Sequence, residues 1–161
     1  MKTQSDLKRR HRGVAAVELA LVAIPLVMMV LAAIDFARAM FVYDQLVKSV
    51  RDGARYLSFF DPTAGGEYPV ELAKRRVLYG STSGGSPIVP GLTASMISIC
   101  DQTDSSACPG ETFANVDTGS GTINLVKVKI SGYRFTPAFP GVSKLTDITF
   151  DPISSTMRQL Y

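Results

Sequence analysis

The sequence predicts an α+β protein: a long N-terminal transmembrane helix continues into a small head with a second short helix and an antiparallel sheet of about three strands. Three observations in the 161-residue chain support this fold class. An apolar run of about 21 residues follows a basic N-terminus. Helical periodicity continues from this run to about residue 58, with apolar residues spaced by three, four or their sums: Ile34, Ala37, Phe41, Val47, Val50, Ala54 and Leu57. Apolar and polar residues then alternate in the second half of the chain, which is typical of strands, and helix and sheet together make an α+β arrangement.

Residues 1–13 form a basic leader that we expect to be disordered. One carboxylate, Asp6, stands against five cations: Lys2, Lys8, Arg9, Arg10 and Arg12. Cations just before an apolar segment favour the cytoplasmic side of a membrane. Because the leader accounts for the whole positive net charge of +3, the cations are not spread over a folded face, and nucleic-acid binding is not indicated.

The apolar segment, residues 14–34, is long enough to cross a bilayer, since about 21 residues rise roughly 30 Å as a helix. It is longer than the apolar core of a usual secretory signal peptide. Ala37-Arg38-Ala39 nevertheless fits a signal-peptide cleavage pattern, so a secreted domain released after Ala39 is a less favoured alternative. Against it, the helical pattern continues past Ala39, and Asp35 and Arg38 are spaced as an i,i+3 ion pair on a solvated juxtamembrane face.

The head is expected to comprise residues 59–161. A short helix over residues 69–79 is indicated by an N-terminal proline, an early Glu71 and a terminal Gly80. The clearest strand has Val126, Val128 and Ile130 on one face and Lys127, Lys129 and Ser131 on the other. The three strands are predicted over residues 93–100, 122–135 and 146–155.

The two cysteines, Cys100 and Cys108, are expected to form a disulfide. If the N-terminus is cytoplasmic, the head lies outside the cytoplasm, where disulfides persist. A metal site is the competing interpretation, but two thiols without a nearby histidine or second cysteine pair do not complete a tetrahedral set. We therefore expect no metal.

The sequence shows no catalytic constellation. The one histidine, His11, lies in the leader, so neither a histidine-dependent triad nor a histidine metal site is available to the head. Phosphate-binding, dinucleotide-binding and zinc-protease motifs do not occur. We expect a protein that is not an enzyme and has no cofactor.

Glu18 lies four residues into the apolar segment, where a charge costs about 2.5–3.5 kcal/mol on translocon scales. It could reach the lipid headgroups at the cytoplasmic interface. Alternatively, a cut after Gly13 would give Val14 a free α-amino group, and Glu18 of one subunit could pair with the new N-terminus of its neighbour in a helical stack. Further along, Pro25 removes a helical hydrogen bond and should kink the span, although a helix irregularity without a role is an equal alternative.

Several of these features together resemble a known family. They are Gly13 after a basic leader, Glu18 five residues later, Pro25 in the span, the Asp35-x-x-Arg38 step and a closing Gly-Ala-Arg-Tyr at residues 53–56. The N-terminus resembles the prepilin-type signal of the type IV pilin superfamily. Residues 12–58 look like the TadE-like family of tight-adherence (Flp-type) pilus systems, with Asp35 where many relatives have Glu.

The resemblance implies a minor pseudopilin in the bacterial inner membrane, with a cytoplasmic N-terminus and a periplasmic head. A prepilin peptidase would cut between Gly13 and Val14, and Glu18 would be the recognition and assembly acid. The protein would support assembly of Flp pili for surface attachment and biofilm, together with other pilin and pseudopilin subunits and inner-membrane assembly proteins. The alternative is an uncleaved, single-pass membrane-anchored assembly or binding module of the secretion system.

Overall fold

The computed structural model describes residues 4–65, 68–139 and 147–160, with side chains from Gly13 onward. Contacts divide the chain into two compact units. The first consists of Met1–Ala39 and Thr136–Thr146, and the second of Met40–Phe135 and Asp147–Tyr161. This division falls within the long helix, and the domain limits drawn from the sequence stay a prediction.

The long helix, α1, runs from Gln4 to Leu57 and contains Pro25. Its end confirms the prediction of about residue 58. The prediction of a disordered leader was wrong for residues 4–12, which are helical. These nine residues contain neither glycine nor proline and include four lysines and arginines, which have good helix propensity, so nothing local stops the helix from continuing toward the N-terminus.

The second unit buries one stripe of the last turns of α1. The buried apolar residues at spacings of three and four are Leu46, Val50, Ala54 and Leu57. The periodicity predicted Val50, Ala54 and Leu57 correctly. It also predicted Ile34 and Phe41 on the same stripe, and both are exposed. Periodicity gives a helix an apolar face, but the residues that pack on it decide where burial starts.

The second helix, α2, runs from Val70 to Tyr79, as predicted. Glu71 in its first turn pairs with Lys74, with Oε1 and Nζ 2.9 Å apart. Gly80 ends the helix in the left-handed conformation at φ 71°, and its N–H donates to the carbonyl oxygen of Arg76. This conformation is easiest for glycine, which is why a glycine closes the helix.

Gly53 allows α1 and α2 to pack closely. A Cβ atom at this position would collide with Cγ2 of Val77 on α2 and would lie 3.7 Å from Cγ1 of Val128. Glycine in a helix interior costs about 1 kcal/mol relative to alanine. Here the missing side chain makes room for the second helix against the first.

The described residues contain seven strands, numbered in chain order. They are β1 Ile97–Cys100, β2 Val116–Asp117, β3 Thr122–Ile123, β4 Leu125–Ile130, β5 Arg134–Phe135, β6 Ile148–Thr149 and β7 Ile153–Arg158. The main sheet is antiparallel in the order β1–β4–β7, which confirms the predicted three-stranded sheet. Its central strand buries Val126, Val128 and Ile130, the face that the alternation predicted.

The remaining described strands form two separate two-stranded sheets, β2 with β3 and β5 with β6. The third strand was predicted over residues 146–155, of which residue 146 lies outside the described residues. The chain instead forms β6 at Ile148–Thr149, and the sheet strand β7 begins only at Ile153. Pro152 precedes it, and a proline cannot donate to a strand ladder. The predicted strand over residues 122–135 is likewise divided, into β3, β4 and β5.

Aromatic rings complete the core of the second unit. Phe150 stacks on Tyr133 at 5.7 Å between ring centroids and meets Tyr43 of α1 edge-on at 5.5 Å. The Tyr133 hydroxyl donates to the carbonyl oxygen of Pro90 at 2.9 Å. Burial raises the pKa of this hydroxyl above its ordinary value. Tyr133 and Phe135 are buried.

Candidate functional site on the N-terminal helix

The apolar half of α1 is mostly exposed, and only Ala23, Leu31 and Ala32 within residues 13–34 are half-buried. The described residues contain one helix that is long and apolar enough to cross a membrane, the part of α1 from Gly13 to Leu57. Its most apolar stretch is not buried by the rest of the chain. The exposed large side chains before residue 31 are Val14, Val17, Leu19, Leu21, Val22, Ile24, Leu26, Val27, Met28, Met29 and Val30. A surface of this kind suits hydrocarbon or other apolar helices rather than water.

Gly13 and Val14 lie within the helix, not at its beginning. A Cβ atom at Gly13 would meet nothing within 4 Å, so packing in this structure does not require a glycine at this position. Both residues are exposed. Cleavage between Gly13 and Val14 stays a prediction.

Glu18 is exposed on the apolar helix, four residues after Val14. Among the side chains that the structure describes, none forms an ion pair or a hydrogen bond with its carboxylate. An unpaired carboxylate among exposed apolar residues would be costly in a bilayer. The assembly role of Glu18 stays a prediction.

Pro25 lies inside α1, which continues on both sides of it. Proline has no N–H to donate to the carbonyl oxygen four residues earlier, and its ring crowds that carbonyl. A kink at Pro25 stays a prediction.

Asp35 forms the predicted ion pair with Arg38, at 3.2 Å between Oδ1 and Nη1. The Asp35 side chain is 0% exposed, whereas that of Arg38 is 50% exposed. The prediction of a solvated face was therefore wrong for Asp35. The reason is a second set of partners, from a segment more than 100 residues later in the chain.

Two consecutive backbone N–H groups bind the Asp35 carboxylate. Ala138 donates to Oδ1 at 2.9 Å and Phe139 donates to Oδ2 at 3.1 Å. With Arg38, three donors surround the two oxygens. Burying a carboxylate is tolerated when it is both paired and hydrogen-bonded. Sequence reasoning missed Ala138 and Phe139, because a backbone donor leaves no signal in residue type.

The disulfide between Cys100 and Cys108 is present, which confirms that prediction. Asp101 organises the loop between them by accepting from the N–H groups of Thr103 and Asp104. Lys129 of β4 donates from Nζ to the carbonyl oxygen of Ala107 at 2.6 Å. These contacts and the disulfide fix the loop beside the central strand.

Two further observations bear on the chemistry of this loop. The N–H and hydroxyl of Ser106 hydrogen-bond to Asp104 and hold the pKa of its carboxyl below the ordinary value. Within the described part of the chain, no three histidine, cysteine, aspartate or glutamate side chains come together in a group that could hold a metal ion. The loop is therefore best described as a structural element.

Fold and site define a class: a protein with one candidate membrane-spanning helix, exposed and apolar, that continues into an α+β unit with a disulfide. A family model described as "TadE-like protein" matches residues 13–55, which confirms the resemblance seen in the sequence. The match starts at Gly13 and covers the apolar helix, and residues 56–161 lie outside it. No curated protein and no solved structure matches the chain.

The match and the apolar helix together fit a membrane protein associated with a tight-adherence pilus and anchored by a single span. The matched family suggests a pilus-assembly context with other proteins of the same system. The particular role of this chain is the subject of the proposal below.

Proposed function

We propose that this protein is a minor pseudopilin that supports assembly of tight-adherence pili for surface attachment and biofilm. It lies in the bacterial inner membrane with a cytoplasmic N-terminus and a periplasmic head. The observation that carries the proposal is the family match over residues 13–55, which begins at the glycine of the proposed cleavage site. A prepilin peptidase cuts between Gly13 and Val14, and the protein is its substrate rather than an enzyme.

The cut creates a positively charged partner for the carboxylate of Glu18. Val14 gains an α-ammonium group, while Glu18 carries an exposed carboxylate with no partner among the described side chains. In a stack of helices, Glu18 of one subunit binds the Val14 ammonium of its neighbour. Opposite charges attract strongly where the dielectric constant is low, so the pair reduces the membrane cost of both groups and sets the axial register.

The exposed apolar side chains of α1 support the same role. They face lipid before assembly and neighbouring helices after it, and neither setting requires burial within one chain. The partners are therefore other pilin or pseudopilin subunits and the inner-membrane assembly proteins of the system.

Release of a secreted domain after Ala39 is less well supported. Ala39 is buried, and α1 continues beyond it to Leu57. A cut there would also remove Asp35 and leave the N–H groups of Ala138 and Phe139 without their acceptor. An uncleaved membrane-anchored module stays the alternative.

Replacing Glu18 tests the proposed function in the native host. The Glu18→Ala variant is expected to insert and to be cut, because Gly13 is unchanged, but to leave the cells without pili. Insertion is measured by membrane fractionation, cutting by intact mass and piliation by electron microscopy. Glu18→Asp, which keeps the charge, is the matched control and should retain some pili. Normal piliation with Glu18→Ala would contradict the pairing.

A further inference from the structure

The first unit contains a contact between α1 and a segment late in the chain. Asp35 accepts from the backbone N–H groups of Ala138 and Phe139, and its carboxylate is fully buried. Pro137, just before these donors, is also buried, while Phe139 is 37% exposed. The segment Thr136–Phe139 is thus held on the helix by its backbone, and its phenylalanine is left partly uncovered.

Burial of Asp35 changes the length of the charge-free surface of α1. Glu18 and Arg38 are exposed charged residues, and Asp35 is the one charged residue in the sequence between them. Since Asp35 is hidden, the exposed surface of residues 19–37 carries no charge. The distance from Glu18 to Arg38 is about 30 Å along a helix, which equals the hydrocarbon thickness of a typical bilayer, about 30 Å.

We propose that Thr136–Phe139 is a second membrane-contacting element, held by Asp35 at the outer edge of the bilayer. The lipid-facing part of α1 then extends outward to residue 37, beyond the segment 14–34 that hydropathy suggests. The proposal rests on the membrane location in the proposed function and adds a second contact with lipid. Its occupant is the outer part of a phospholipid bilayer, because the exposed surface of residues 19–37 carries no charge and ends at the helix turn that holds this segment.

The hydrogen bonds explain how an irregular segment can enter this zone. Unpaired backbone groups are costly at membrane depth, and irregular backbone does not face lipid within the hydrocarbon region, so a segment of this kind belongs at the edge of the bilayer. Asp35 satisfies two consecutive N–H groups. In return, these donors and Arg38 compensate a carboxylate that would otherwise be costly beside lipid. The carboxylate and the two N–H groups therefore each reduce the free-energy cost of placing the other near lipid.

Aromatic exposure is consistent with this placement. Phe36, directly after Asp35 and in the same unit as Phe139, is 65% exposed. Phenylalanine and leucine are typical of segments that lie in the boundary between headgroups and acyl chains. Phe139 belongs to the same unit and supplies such a side chain from the second segment.

The experiment uses tryptophan fluorescence, because the chain contains no tryptophan. Full-length protein carrying Phe139→Trp is reconstituted in phosphatidylcholine vesicles, with Phe59→Trp, at a 61% exposed position of the second unit, as the matched reporter. Quenching is measured with aqueous iodide and with lipid brominated on acyl carbons near the headgroup. We expect several-fold weaker iodide quenching at position 139 than at 59, and bromolipid quenching only at 139. Equal iodide quenching without bromolipid quenching at 139 would overturn the proposal.

A second arm tests Asp35 itself. Asp35→Ala in the Phe139→Trp background should raise iodide quenching several-fold and abolish bromolipid quenching. Asp44→Ala is its control, because Asp44 forms a solvent-exposed pair with Lys48 on the same helix, and it should change neither signal. Unchanged quenching with Asp35→Ala would contradict the role of Asp35. The reporter with Asp35 intact decides the membrane contact by itself, even if Asp35→Ala fails to fold.

Failure of the proposed function is distinguishable from failure of this inference. If the wild-type chain is washed from native membranes at alkaline pH, the single-span location is wrong. If the chain is retained and the reporter at position 139 behaves like the one at 59, the second membrane contact alone is wrong.

Discussion

A carboxylate such as Asp35 is stable in a buried position only because hydrogen-bond donors surround it. Some of these donors can be predicted from the sequence and others cannot. The i,i+3 spacing to Arg38 predicted the ion pair, which the structure contains. The N–H groups of Ala138 and Phe139 could not be predicted, since every residue except proline carries such a donor. The position of Glu18 in an apolar run was equally visible, but its partner is expected from another subunit.

Tyr133 is a second side chain whose polar group is fixed by one contact. Tyr133→Phe removes the hydroxyl that donates to Pro90 and should lower the free energy of unfolding by about 1 kcal/mol at neutral pH. The measurement is denaturant unfolding of the full chain in detergent, followed by near-ultraviolet circular dichroism. Tyr43→Phe, which keeps the ring contact with Phe150, is the control and should have a smaller effect.

The same residue predicts a pH dependence with a defined sign. Burial raises the pKa of Tyr133 in the folded state, so the unfolded chain loses this proton first as pH increases. The contribution of the protonated hydroxyl to stability is complete below the unfolded pKa of about 10 and is lost as pH rises through the folded pKa. Wild type should therefore lose more stability than Tyr133→Phe in this alkaline range. An identical pH dependence of the two proteins would contradict the prediction.

Helices were easier to predict than strands. The end of α1 and both ends of α2 agree with the sequence because their signals are local: a proline before α2, Gly80 after it and apolar residues at helical spacing. The strand predicted over residues 146–155 was misplaced because alternation alone does not show that Pro152 interrupts the ladder. From the sequence, Gly53 could be described only as a residue that destabilises a helix. Its role in close packing becomes visible only in the contact with α2.

Gly53→Ala tests the packing of the two helices. Helix propensity alone would stabilise the variant by about 1 kcal/mol. We expect net destabilisation of roughly 1–3 kcal/mol instead, because the new Cβ collides with Val77 and overpacks the core. Denaturant unfolding of the full chain in detergent measures the change.

A matched double variant shows whether Val77 is the cause. Val77→Ala removes the colliding methyl groups, so Gly53→Ala with Val77→Ala should lose less stability than the sum of the two single variants. Strict additivity, or a gain in stability for Gly53→Ala alone, would show that close packing at Gly53 does not limit the fold.

The whole chain combines two surfaces with different requirements. The second unit buries its apolar residues around β4 and closes a loop with a disulfide. The apolar part of α1 buries almost nothing within the chain. Composition and periodicity were enough to predict this division and the α+β class. The contact of residues 136–139 with α1 could not be predicted, because it joins positions that are far apart in sequence.

The proposed function depends most directly on the N-terminus of the mature protein. Intact and N-terminal mass spectrometry of the chain purified from native membranes measures it. A chain beginning at Val14 is the predicted result, since the family match starts at Gly13 and the Glu18 pairing needs a free α-amino group there. A chain beginning at Met1 would contradict cleavage and leave an uncleaved anchor, and one beginning at Met40 would contradict membrane anchoring by α1.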